Sequence, residues 1–139
     1  MDNTHIDGRV VKVSKPAEYI YMLFADLTNF TRTIPEDILR QYDFKSTVDT
    51  ITANVSGFEI GIEVVERTPF SRIGYCQSSA TPLAFSFVVL LKTLSPGTSE
   101  YQLILDAEIP AIYKMMIGGK VKEMVDRVTD EIERGLNSF

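Results

Sequence analysis

The side chains able to do chemistry are few in this sequence, and their placement limits what that chemistry is. His5 is the only histidine and Cys76 the only cysteine. A nucleophile needs a base within hydrogen-bond reach, and His5 falls in a polar N-terminal stretch where chains fray. A Ser/His/Asp or Cys/His triad therefore has little support. Cys76 lies between Tyr75 and Gln77, with no Lys, Arg or His beside it to favour a thiolate, and reads as a small packing residue. A single cysteine also excludes an intrachain disulfide and a multi-cysteine zinc site. Glu59, Glu63 and Glu66 recur along one segment. Glu59 and Glu63 alternate with Phe58, Ile60 and Ile62, so they read as a solvated charge ladder, and no metal site is expected. Tyr75, Tyr101 and Asp49 remain as acid or base candidates. No motif singles one out, so no catalytic residue is assigned and no cofactor is expected.

The more informative set is apolar. If Lys92 faces water, Phe85, Phe87, Val89 and Leu91 point the other way, together with Ile73 and Tyr75, with Tyr101, Leu103 and Leu105, and with Phe58, Ile60 and Ile62. Near the C-terminus, Met115, Met116, Gly118 and Gly119 combine flexible side chains with poor helix formers. Tyr75, Tyr101 and Tyr113 carry polar tips on apolar bodies, the kind of group that orients a ligand in an apolar pocket. Such a surface is either a solid core or the wall of a cavity, and periodicity alone does not separate them. The candidate ligand-lining residues are Phe58, Ile60 and Ile62 in one run, Tyr75 in the next, then Phe85 and Phe87, then Tyr101 and Leu103. Tyr113, Met116, Val121 and Met124 join them from the last segment.

The elements that must position these residues follow from periodicity. Ile6 to Val13 reads as a half-exposed strand. Ser14-Lys15-Pro16 stops it and opens a helix, with Glu18 near its N-terminus and Tyr19, Ile20, Leu23, Phe24 and Leu27 on one face. Pro35 bends the path, so residues 16 to 42 read as a helix pair. From Phe44 the period becomes two, giving five runs: Lys45 to Val55, Phe58 to Arg67, Ser71 to Gln77, Ala84 to Leu94, and a last run through Tyr101 to Ile109. Turn residues at Ser56-Gly57, Thr68-Pro69, Ser78 to Pro82 and Ser95 to Thr98 separate them. After Pro110, Ile117, Val121, Met124, Val125, Val128, Ile132 and Leu136 form one helical stripe. About 25 residues at 1.5 Å each span about 38 Å. That matches the length of the long strands.

The fold expected is α+β, a curved antiparallel sheet of about six strands in the order β-α-α-β-β-β-β-β-α around a long C-terminal helix. With 139 residues, 45% hydrophobic, the chain suits one domain spanning 1–139. A net charge of −5 without a basic cluster disfavours nucleic acid. No run approaches the length needed to span a bilayer, and the polar N-terminus lacks a signal-peptide core, so a cytoplasmic location is expected. The oligomeric state is open.

The order of elements resembles the helix-grip fold of the START/Bet v 1-like superfamily, the SRPBCC or polyketide cyclase/dehydrase-like group. Ser14-Lys15-Pro16-Ala17-Glu18, then Asp26-Leu27-Thr28-Asn29-Phe30 and Ile34-Pro35, resembles that group's first helical segment. Val65-Glu66-Arg67-Thr68-Pro69 is similar to its hairpin tail, and Pro110-Ala111-Ile112-Tyr113-Lys114-Met115-Met116 to the start of the last helix in small bacterial members. The resemblance implies a cavity between sheet and helix. It covers lipid carriers, hormone receptors, polyketide aromatase/cyclases, ubiquinone-binding proteins and a co-chaperone activator, so it implies a cavity more than a task. Rieske ligands are absent, which excludes ring-hydroxylating chemistry. The leading expectation is binding or transport of an apolar or amphipathic small molecule, a lipid, quinone or polyketide. The alternatives are a polyketide cyclase/dehydratase-like enzyme and a chaperone-associated interaction module.

Overall fold

Alternating apolar residues in the middle of the chain pair into one antiparallel sheet in the computed structural model, which describes residues 2–55, 58–78, 84–109 and 111–137. Within these ranges the side chains at 2, 3, 55, 58, 109, 111–121, 124 and 137 lie outside the description. The elements run β1 (Asp2–Asp7), β2 (Val11–Val13), α1 (Ala17–Ala25), α2 (Leu27–Thr31), α3 (Glu36–Gln41), β3 (Lys45–Ser46), β4 (Thr50–Val55), β5 (Phe58–Thr68), β6 (Arg72–Gln77), β7 (Ala84–Ser95), β8 (Thr98–Ile109) and α4 (Ala111–Asn137). The sheet order is β1-β8-β7-β6-β5-β4-β3, with β2 also on β8. The α+β class, the antiparallel sheet and the C-terminal helix are as expected from the sequence. Among the described residues no helix is long and apolar enough to cross a membrane.

The strand count differs, and the reasons are local. The expected strand Ile6 to Val13 is divided at Gly8. Its N–H donates to the Leu103 carbonyl at 2.7 Å, and a Cβ there would stand 2.7 Å from the same oxygen. Only glycine fits so close an approach. From Asp7↔Ile104 to Val11↔Tyr101 the first strand advances four residues while β8 advances three, the extra residue of a bulge. The expected run Lys45 to Val55 is also divided. Thr47 Oγ1 accepts the N–H groups of Asp49 at 3.2 Å and Thr50 at 3.1 Å, a hydroxyl turn that competes with the ladder. Three helical segments stand where two are expected, because the Asp26 carboxylate accepts the Thr28 N–H at 2.9 Å and caps a new helix.

Helix α1 buries Ala17, Ile20, Phe24 and Ala25 against β6, β7 and β8. The Phe24 ring lies 5.7 Å from that of Tyr101 and 5.9 Å from that of Phe30. Helix α4 packs on β1, β2 and β8. Its buried stripe is Val125, Thr129, Ile132 and Leu136, whereas Val128, expected in that stripe, is 37% exposed. Thr129 tolerates burial because its hydroxyl donates to the Val125 carbonyl at 2.8 Å. Arg9, in the bulge, donates to Asp130 at 2.6 Å and Glu133 at 2.7 Å. Ile20, Ile73 and Val89 are wholly buried, each worth about 1.5–3 kcal/mol of burial.

Gly8→Ala is expected to destabilise the protein by about 1–3 kcal/mol, read as a lower urea midpoint at unchanged slope. An unaltered midpoint would mean that the bulge yields without cost.

Candidate functional site

Cross-strand register sorts the concave face into rows. The first runs through Thr4, Ala107, Phe85, Gln77, Ile62 and Ile51, with Gln77 beside Phe85 through the bond that its Oε1 accepts from the Phe85 N–H at 3.1 Å. The second holds Ile6, Leu105, Phe87, Tyr75 and Val64. The third holds Leu103, Val89, Ile73 and Arg67, and the fourth Val11, Tyr101 and Leu91. Ile60 extends the face beyond the first row, opposite Ala53.

Burial changes along these rows. In the third and fourth, every apolar member is buried, down to 0% exposure at Ile73 and Val89. In the first, Thr4, Phe85, Gln77 and Ile62 are only half-buried, as are Phe87 and Val64 in the second and Ile60 beyond them. All of these point to the inner face by register. The described side chains are therefore fully packed where α1 and the C-terminal half of α4 lie, and only half-buried toward the other end. That half-open apolar recess is the candidate site.

Of the residues singled out from sequence, Ile60, Ile62, Phe85 and Phe87 stand in the recess. Tyr75 lies at its inner edge, its ring stacked on Phe87 with centroids 4.4 Å apart. Tyr101 and Leu103 lie in the filled part. Phe58, Tyr113, Met116, Val121 and Met124 have side chains outside the described residues, as do those of Met115, Gly118 and Gly119; the backbone of α4 is helical there. Thr4 and Gln77 escaped sequence reading because a search for apolar periodicity skips polar members of a face. Their phase with Ile6 and Tyr75 was the available signal.

The tyrosine hydroxyls have partners. Tyr75 donates to the Phe24 carbonyl and Tyr101 to the Thr129 carbonyl, the latter at 3.0 Å. Burial pushes both hydroxyls well above the ordinary tyrosine value, so neither gives up a proton near neutral pH. Asp49 accepts from Arg67 at 2.5 Å, and the same guanidinium donates to the Ala25 carbonyl at 3.1 and 3.0 Å. A cation on the last carbonyls of α1 offsets the helix dipole.

The convex face carries the three glutamates, Cys76 and His5. Glu59, Glu63 and Glu66 are exposed, as the ladder reading expects. Cys76 is half-buried and its thiol approaches Glu63 Oε1 at 3.7 Å. Burial first, and then the Glu63 charge, push that thiol up, away from the thiolate. His5 departs from the expected frayed end. It sits in β1 opposite Asp106, with Nδ1 2.6 Å from Asp106 Oδ1 and Nε2 2.8 Å from Asp7 Oδ1.

No family model matches the sequence, and no curated protein does. Solved structures do match. A START superfamily protein from Mycobacterium smegmatis superposes with TM-score 0.63 at 14% identity, covering 96% of this chain and 97% of that one. Norcoclaurine synthase from Thalictrum flavum, a point mutant in complex with a transition state analogue, gives 0.68 at 9% identity, covering 99% and 96%. The di-domain ARO/CYC BexL gives 0.63 at 17% identity, with 99% of this chain covering 47% of that longer one. At such identities the likeness speaks for the fold alone. The chain has the START/Bet v 1-like fold that its motifs resemble.

The two carboxylates at His5 yield a pH prediction. Hydrogen bonds to Asp106 and then to Asp7 raise its pKa above the ordinary 6.5. Both ring nitrogens donate only in the imidazolium. The stabilisation is therefore complete below the unfolded value and is lost as pH rises through the folded one. An NMR titration of His5 should give a midpoint above 6.5, and Asp106→Asn should lower it. A midpoint unmoved by that substitution would rule the pairing out in solution.

Proposed function

We propose that the protein binds an apolar or amphipathic small molecule in the recess between the first two rows of the sheet and the helices that cover it. One observation carries the reading: Phe85, Phe87, Ile60, Ile62 and Val64 face inward by register yet keep contact with solvent. A single domain has little reason to leave so many inward apolar groups wet unless something displaces the water. The solved neighbours of this fold support the reading in kind. Norcoclaurine synthase has been crystallised with dopamine and hydroxybenzaldehyde, small aromatic molecules. A lipid, quinone or polyketide-like compound suits the present walls. Ile60, Ile62, Phe85 and Phe87 would touch it from the sheet, with Tyr75 buried behind Phe87 and backing that wall. Phe58, Tyr113, Met116, Val121 and Met124 are proposed to complete the lining.

A catalytic reading as a polyketide cyclase/dehydratase-like enzyme has less support. Tyr75, Tyr101 and Asp49 are each engaged with a protein partner, and the two tyrosines are buried. These ties favour the binding reading, with transport or sequestration as its use.

Burial of about 300 Å² of apolar ligand at about 25 cal/mol/Å² gives about 7 kcal/mol gross. Association costs of at least about 4 kcal/mol reduce it, so micromolar or weaker affinity is expected for a simple apolar molecule. Organic extraction of the purified protein with mass spectrometry, and thermal-shift screening of lipids, quinones and polyketides, test the reading. A raised Tm with members of one class is expected. Ile62→Trp should fill the recess, cutting affinity at least tenfold while Tm is kept. No extracted ligand and no stabilising compound would overturn the reading.

A further inference from the structure

Building on the recess reading, we infer that Gln77 sets the chemistry of the guest by giving a hydrogen bond to a neutral carbonyl oxygen on it. Strand β6 ends at this residue. The ladder between β6 and β7 runs from Arg72↔Leu90 to Cys76↔Ser86 and stops there. One step further the Gln77 side chain takes over, and its Oε1 accepts the Phe85 N–H at 3.1 Å. That donor fixes which end of the amide is oxygen. The Nε2 end keeps two protons, and among the described residues neither has a partner.

The neighbours of this amide are apolar. Gln77 stands opposite Ile62 on β5 and is bonded to Phe85 on β7, both half-buried members of the inward wall. It is itself half-buried and shares the phase of Ile73 and Tyr75, which are buried inside. While water solvates the amide, its position costs little. Once a guest displaces that water, the bare donor is penalised unless the guest restores the bond. The other polar side chains of the first two rows offer no such bond. Thr4 Oγ1 is closed off from solvent, and the Tyr75 hydroxyl donates to the Phe24 carbonyl.

Gln77 therefore discriminates among apolar guests as any site built to hydrogen-bond does, by rejecting analogues that lack the partner atom. Turning the amide round would break the Phe85 bond, so its free end gives protons rather than takes them. A carbonyl answers it. A carboxylate would accept as well, but no Lys or Arg stands among the described side chains of these two rows to balance the charge.

Three probes of one skeleton test the inference at pH 8: 2-acetylnaphthalene, 2-isopropenylnaphthalene, in which a methylene replaces the oxygen, and 1-(2-naphthyl)ethanol. Each is titrated against wild type, Gln77→Leu and Gln77→Glu. Wild type is expected to bind the ketone about three- to tenfold more tightly than the hydrocarbon. Gln77→Leu should erase that preference by lowering ketone affinity. Gln77→Glu keeps an oxygen for the Phe85 N–H, so Tm should stay close to that of wild type. Its second oxygen, ionised at this pH, meets the guest as an acceptor. The ketone should then lose its advantage, and the alcohol, which can donate, should become the tightest of the three. Equal binding of ketone and hydrocarbon by wild type, or a ketone preference that survives in both variants, would overturn the role of Gln77 while leaving the recess intact. Binding of none of the three to wild type would overturn the recess reading as well.

Discussion

Register along β8 is the constraint on which the molecule depends. This strand pairs with β7 on one side and with β1 and β2 on the other, so its alternation decides which face four strands present inward. Tyr101, Leu103, Leu105 and Ala107 are all buried, while Asp106 and Glu108 are exposed. A slip of one residue would exchange the two sets, placing carboxylates under α1 and α4. The bulge at Gly8 serves the same register. It absorbs one residue so that Ile6 and Val11 both point inward on either side of it.

From that shared register the filled and half-open ends follow. Two tyrosine hydroxyls tie helices to the sheet, Tyr75 to the end of α1 and Tyr101 to the C-terminal half of α4. Arg67 adds a third tie at Ala25, and Arg9 a fourth at Asp130 and Glu133. All four lie on the side where Ile20, Ile73 and Val89 are wholly buried. Polar struts and dense packing thus coincide. Phe85 and Ile62 stand one row beyond Tyr75, and the functional reading rests on that asymmetry.

Much of this architecture was legible in the sequence because it is written in local period. The alternation Tyr101, Leu103, Leu105 and the stripe Val125, Ile132, Leu136 required no knowledge of partners. What was not legible depends on contacts across the fold. The break at Gly8 comes from a carbonyl of Leu103 far along the chain, and His5 is held by Asp106, 101 residues away. Side chains that turn on their own backbone were also hidden. Thr47 ended a strand, Asp26 started a helix, and Thr129 took a buried position that hydropathy assigned to Val128. Within the recess, Phe85, Phe87, Ile60 and Ile62 were legible as inward residues. Their partial exposure was not, since packing density is a property of three dimensions.

The same asymmetry bears on how a guest would reach the recess. Helix α3 has no buried residue, and its apolar pair Ile38 and Leu39 is only half-buried. Phe44, just after it, is likewise half-buried and meets Tyr42 edge-on at 6.4 Å. Local opening is least costly where few apolar contacts are lost. Separating α3 from the sheet forfeits little, whereas lifting α1 would break the Tyr75 and Arg67 ties and expose Ile20 and Phe24. A shell anchored by hydrogen-bonded side chains on one flank and thinly packed on the other can admit a molecule without loosening its core. Among the helices, α3 is thus the one with no buried residue.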